Sequence, residues 1–204
     1  MGESRITFPS EKGELEGLYD GDGQAGAVVI THPHPLYGGD MYSPVVGAIA
    51  AAYRRCGFST LRFNFRGTGR SAGTHDGGRG ERADVRAAFD FLRIRNAAEI
   101  HLSGYSFGAW VNALAMQEDL AVRAATMVAP PVAFIDFPAH MRLPMLGAIV
   151  AGSDDTFAPP GLIEAQMHTW NPMVRLAVIH GADHFFFGFL DEVSRLLTDA
   201  IRSR

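Results

Sequence analysis

Three stretches of this chain hold side chains that could together activate a nucleophile. The first is Gly104-Tyr105-Ser106-Phe107-Gly108, a serine with a glycine two residues to either side. A serine hydroxyl is a weak nucleophile near neutral pH and needs a base beside it. Of the eight histidines, His184 is the best candidate, in the loop His180-Gly181-Ala182-Asp183-His184. His180 is its rival. His101 falls inside a predicted strand and reads as a packed histidine, and His168 falls on a predicted helix. A histidine base needs a carboxylate to fix its tautomer and stabilise the imidazolium. Gly152-Ser153-Asp154-Asp155 offers two. One aspartate there serves as a turn or cap residue, which Asp fills readily, and the other is the orienting acid.

The elements around these stretches must bring them together. Arg5–Phe8 and Glu14–Tyr19 read as a hairpin at a sheet edge. Gly26–Thr31, Thr60–Phe65, Ile100–Ser103, Arg123–Val128, Met145–Ala151 and Val174–Ile179 read as strands. Between and after them, helical spacing covers Tyr42–Arg55, Glu81–Arg95, Phe107–Met116, Leu162–Thr169 and Phe189–Ile201, with Gly57 stopping the first. Alternating strands and helices predict an α/β fold, a mostly parallel sheet with helices on both faces. Ligands of such sheets bind at the carboxyl ends of the strands. Ser106, the aspartate pair and His184 all follow predicted strands, so all three fall at that end. The serine would sit on a sharp strand-to-helix turn, where Gly104 and Gly108 avoid collisions with neighbouring backbone.

Two other patterns suggest different chemistry. His32-Pro33-His34 has the look of a metal-ligand pair, but prolines flank His34 and no third ligand is evident, so no metal is expected. The glycines from Gly67 to Gly80 lie between a strand and a helix, yet lack the G-K-[ST] ending of a phosphate loop. They are expected to form a flexible rim of the pocket, with Glu81 and Asp84 in the first turns of the following helix.

Composition narrows the class. The 204 residues are 47% hydrophobic and 20% charged, globular values that exclude dominant disorder. About 150 residues per domain makes one domain, 1–204, the expectation. Eighteen basic against 22 acidic residues give a net charge of −4, so no nucleic-acid or membrane partner is expected. The single cysteine, Cys56, cannot form an internal disulfide. With no apolar stretch of signal-peptide length near the start and no run of about 18 apolar residues, a cytoplasmic protein is expected.

In order along the chain, four segments resemble one group of proteins. They are His32-Pro33-His34-Pro35-Leu36-Tyr37-Gly38-Gly39, Asn64-Phe65-Arg66-Gly67-Thr68-Gly69-Arg70-Ser71, Gly104 to Ala109, and Gly181-Ala182-Asp183-His184-Phe185-Phe186. The sequence resembles the α/β-hydrolase superfamily over essentially its whole length, in the order Ser, Asp, His. More narrowly, it resembles small lid-free hydrolases related to dienelactone hydrolase. That enzyme uses a cysteine nucleophile where this chain has Ser106. The resemblance implies Asp155 as the acid, His184 as the base, and an oxyanion hole from the backbone N–H groups of Phe107 and Leu36. It implies no cofactor.

The function expected is serine-dependent hydrolysis of small, short-chain carboxylic esters through an acyl-enzyme, a carboxylesterase. A thioester or amide could be cleaved by the same residues, and a non-enzymatic binding protein on a hydrolase scaffold is the competing class. Ala129–Pro144, with four prolines, is too short for a lid domain. The pocket is therefore expected to be open and shallow, walled by Tyr37, Phe134, Phe137, Phe157 and Phe185, with Phe186 beside them.

Overall fold

The computed structural model describes residues 2–95, 97–118 and 120–203. The chain opens with an antiparallel hairpin, β1 (Ser4–Ser10) and β2 (Gly13–Asp20), with Phe8 opposite Leu15. Strands β3 (Ala27–Thr31), β4 (Ser59–Phe63), β5 (Ile100–Tyr105), β6 (Ala124–Val128), β7 (Leu146–Gly152) and β8 (Arg175–Ile179) follow. All eight join one sheet in the order β1-β2-β4-β3-β5-β6-β7-β8. β2 alone runs against the other strands, antiparallel to both β1 and β4, and β3 to β8 run parallel.

Helices α1 (Pro44–Arg55), α2 (Arg79–Ile94), α3 (Phe107–Ala115), α4 (Pro160–Trp170) and α5 (Leu190–Arg202) occupy the connections and the end of the chain. Every residue of β3, β5 and β6 is buried. Such strands are apolar on both sides because helices cover both faces of a parallel sheet. α1 packs with α5, and α2 with α3. Right-handed crossovers require this division: β3–α1–β4 steps one way along the sheet, whereas β5–α3–β6 steps the other. The strand order therefore reverses between β3 and β5. A crevice opens at such a reversal, outside the carboxyl ends of the two strands.

Element ends depart from the sequence reading where side chains replace ladder bonds. β4 stops at Phe63 rather than Phe65, because the Phe65 N–H donates to His32 Nε2 at 3.0 Å. α2 begins at Arg79 rather than Glu81, because the Glu81 carboxylate reaches back to the N–H groups of Asp76 and Gly78 at 2.9 and 2.8 Å. Between β6 and β7, residues 129–144 form neither helix nor strand. Phe137 anchors that segment by packing its ring 4.8 Å from Trp170. Among the described residues, no helix is long and apolar enough to cross a membrane.

Candidate functional site

Ser106 sits between β5 and α3 with φ 53° and ψ −122°, a conformation few non-glycine residues adopt. Such backbone costs about 1–3 kcal/mol and persists only where its surroundings hold it. Here the Ser106 N–H donates to Val128 O at 2.9 Å, and its carbonyl accepts from Ala109 and Trp110 at 2.9 and 3.3 Å. The flanking glycines permit the turn. A Cβ on Gly104 would stand 2.6 Å from Ala109 N, and one on Gly108 would stand 2.7 Å from His32 O. The elbow is thus pressed against the loop that follows β3.

His184, from the loop after β8, places Nε2 2.9 Å from Ser106 Oγ. Its Nδ1 lies 2.8 Å from Asp155 Oδ2. The other Asp155 oxygen accepts from the N–H groups of Phe157 and Ala158, both at 2.8 Å. With the carboxylate accepting, Nδ1 carries the proton and Nε2 is left to accept from the serine hydroxyl. All three residues are buried, at 8%, 3% and 8% exposure for Ser106, Asp155 and His184. Asp154 is exposed and accepts from Ser153 Oγ at 2.7 Å, so it belongs to the turn. His180 and His168 are exposed, while His101 is packed 4.6 Å from the Phe58 ring. The backbone of His184 is pinned from below. Tyr105 Oη donates to the His184 carbonyl at 2.8 Å, and burial, with Asp155 and Asp183 nearby, pushes the phenol pKa up, so the group stays protonated.

A cavity of about 620 Å³ opens over Ser106 and His184. Tyr37, Phe134, Phe157 and Phe185 line it, as the sequence suggested, together with Tyr105, Pro131 and Ile135. Phe137 and Phe186 do not. They are 8% and 0% exposed and belong to the core, Phe137 because it packs on Trp170. The stretch from Gly67 to Gly80 is not the rim of this cavity either. Several of its residues line an adjoining groove with Leu36, and the segment is tied down at its ends. Arg66 Nη2 and Nε bind Asp84 at 2.8 to 3.2 Å, and Glu81 holds the N–H groups before α2.

Leu36 is the main correction. Its N–H donates to His34 Nδ1 at 3.2 Å, and its side chain is 70% exposed toward the adjoining groove. The first N–H available after His32 is that of His34, since Pro33 has none. Among the described residues it donates to no group of the chain, and the His34 ring lies 4.7 Å from that of Phe107. The Phe107 N–H, at the start of α3, is likewise free of an intrahelical acceptor. The two prolines framing His34 were the signal in the sequence.

Three of the four ring nitrogens of the His32 and His34 pair are engaged within the fold. His32 Nδ1 donates to Pro33 O at 2.7 Å while Nε2 accepts from Phe65, so both nitrogens are used. Burial lowers its pKa from 6.5 to about 4, which keeps it neutral. His34 Nδ1 accepts from Leu36, and burial followed by the neighbouring His75 lowers its pKa as well. Among the described residues no group of three or more His, Cys, Asp or Glu side chains is arranged to hold a metal ion.

No family model matches the sequence. An uncharacterized protein of Rickettsia prowazekii is 31% identical over 207 residues, which cover 96% of this chain and 87% of that protein. Among solved structures, an α/β serine hydrolase homologue from Coxiella burnetii is 35% identical, covers 98% of this chain and 97% of its own, and superposes with a TM-score of 0.88. A serine hydrolase without a lid from Xanthomonas campestris is 28% identical, with a TM-score of 0.90 over 100% of this chain and 95% of its own. Identity at this level across nearly the whole length, on a shared fold, carries the assignment. This chain belongs to the α/β serine hydrolases.

Proposed function

We propose that this protein hydrolyses small carboxylic esters, with Ser106 as nucleophile, His184 as general base and acid, and Asp155 as the residue that orients His184. The observation that carries this reading is the unbroken hydrogen-bonded chain from Asp155 through His184 to Ser106 Oγ, ending at a cavity of small-molecule size. In the first half-reaction Ser106 Oγ bonds to the ester carbonyl carbon as its proton passes to His184 Nε2. The tetrahedral intermediate collapses when the alcohol oxygen leaves with that proton, and an acyl-serine remains. Water then adds to the acyl carbon, losing a proton to His184, and the carboxylic acid departs as Ser106 regains its hydrogen. Asp155 favours the reactive tautomer and stabilises the imidazolium. The negative oxygen of each intermediate is received by the free N–H groups of Phe107 and His34. Oxyanion donors of this kind contribute about 10²–10³ in kcat each.

The apolar lining and the short β6–β7 segment support small esters over lipids. A buried methylene contributes about 0.8 kcal/mol, and one left wet contributes almost nothing. The kcat/KM for p-nitrophenyl esters is therefore expected to peak at short acyl chains and fall before about eight carbons, the point where added methylenes stay in water. A fluorophosphonate probe should label Ser106, and mass spectrometry of the labelled peptide reads the site. A folded protein that stays unlabelled and turns over no ester would overturn the reading in favour of a binding protein. A steady rise in kcat/KM out to palmitate would overturn the size limit.

A further inference from the structure

The rings around the cavity form two contact chains. Tyr37 lies 4.8 Å from His34, which lies 4.7 Å from Phe107. Phe134 lies 5.3 Å from Phe157, which in turn lies 4.8 Å from His184. All six rings line the same cavity. Among the described residues, no ring of one chain contacts a ring of the other. The space over Ser106 is therefore bounded by ring surfaces from two separate walls. A flat ring entering it can meet edges and faces of these rings, contacts in which aromatic pairs attract beyond simple area burial.

The charge around this space is as one-sided as its lining. Among the described residues, no lysine, arginine, aspartate or glutamate side chain lines the cavity. Carboxylates stand behind its walls. Asp155 lies behind His184, and Asp155 and Asp183 both act on Tyr105, while His75 and Glu81, 2.8 Å apart, both act on His34. The arginine of the neighbouring loop, Arg66, is 3% exposed and locked on Asp84, so it cannot turn to meet an anion. A carboxylate brought into the cavity would lose its water and find no lysine or arginine in the lining, with Asp155 and Asp183 behind it.

Resting on the esterase reading, we propose that the physiological substrate is an uncharged ester carrying a planar aromatic ring, and that esters bearing a carboxylate are rejected.

Three acetates with the same acyl group and similar alcohol leaving groups test this. They are benzyl acetate, cyclohexylmethyl acetate and 4-carboxybenzyl acetate, compared by kcat/KM at one pH. The expected order is benzyl first, cyclohexylmethyl several-fold lower, and 4-carboxybenzyl lower than benzyl by tenfold or more. Phe134→Leu, at a ring that is 65% exposed and tolerant of change, should shrink the benzyl-to-cyclohexylmethyl ratio toward one. Equal rates for benzyl and cyclohexylmethyl acetate would overturn the ring preference. A 4-carboxybenzyl rate within threefold of benzyl would overturn the exclusion of anions. Both failures leave the esterase reading standing, because each requires turnover. Absence of turnover on all three, together with no fluorophosphonate labelling, removes the esterase reading and this inference with it.

Discussion

His32 and His184 are both buried histidines on loops that follow parallel strands, and each has both ring nitrogens engaged. The difference lies in where their bonds end. His32 joins Pro33 O to the Phe65 N–H, so both of its partners are backbone groups fixed in the fold. His184 joins a carboxylate to a hydroxyl, and that hydroxyl faces a cavity. The same contrast holds for the buried aspartates. Asp84 binds the side chain and backbone N–H of Arg66 through both oxygens, a closed ion pair whose arginine pKa is raised by the partner. Asp155 spends one oxygen on backbone and the other on a group that can gain or lose a proton. A buried polar network that closes on itself holds structure, and one that ends at a cavity on a titratable chain is poised for proton transfer. Burial alone does not separate the two, and neither does residue type.

The largest effect that tests this contrast is at the open end. Ser106→Ala should lower kcat by about a millionfold, the scale found when a serine hydrolase loses its nucleophile. Alanine fits the turn, so circular dichroism and the unfolding midpoint should change little. Near-normal turnover by the folded variant would mean that the open end is not where the chemistry occurs. Next in size, Asp155→Asn should cost about 10⁴ in kcat by favouring the wrong imidazole tautomer. Asp154→Asn should leave turnover close to normal, since the Asp154 carboxylate is exposed and accepts from the neighbouring Ser153 hydroxyl. If Asp154→Asn were the damaging change, the pairing of Asp155 with His184 would not be the working one.

The closed network should answer in stability rather than rate. Asp84→Ala leaves Arg66 buried without its partner, and breaking a buried pair in this way costs about 3–5 kcal/mol. Urea unfolding should report that loss, with kcat/KM of the folded fraction nearly unchanged. Replacing Arg66 by Met in the same chain should return part of the stability by removing the stranded charge. A variant of full stability with impaired turnover would place Arg66 and Asp84 on the functional side of the comparison.

What the sequence disclosed follows from how local each feature is. The elbow at Gly104–Gly108 and the strands around it were legible because close backbone approach and apolar runs leave a mark at fixed spacing. The order of Ser106, Asp155 and His184 was legible because each follows a strand of a parallel sheet, which brings them to one end. The expectation that Leu36 offers a free N–H failed, because a sequence does not show which N–H is already bonded. That bond, from Leu36 to the ring of His34 two residues away, appears only with the folded loop. Phe137 and Phe157 are both phenylalanines after parallel strands, and only packing separates them: one on Trp170, the other on His184. The Gly67–Gly80 segment looked like a rim because glycine marks turns without saying what they face. Its anchors, Arg66 with Asp84 and Glu81 with the N–H groups before α2, are long-side-chain contacts that a pattern cannot supply.

The smallest expected effect concerns the closed histidine and its dependence on pH. Burial lowers the His32 pKa from 6.5 to about 4, and the neutral ring is the form the fold holds, because its Nε2 must accept from Phe65. Between these two values the unfolded chain binds a proton that the folded chain refuses. Stability from this source is therefore complete above pH 6.5 and is lost as the pH falls to about 4, below which both states are protonated. At about 1.36 kcal/mol per unit, the full loss is about 3 kcal/mol. Other groups also respond to acid, so the measurement is the difference between wild type and His32→Gln, which keeps a polar side chain that cannot titrate. Urea unfolding at pH 4, 5, 6 and 7 should show the wild type falling more steeply than the variant by nearly one proton over this interval. Ring ¹⁵N shifts of the wild type at pH 5 should show His32 still neutral with its proton on Nδ1. Parallel slopes in the two proteins, or a charged His32 ring at pH 5, would show that this histidine is not held closed and would erase the distinction between it and His184.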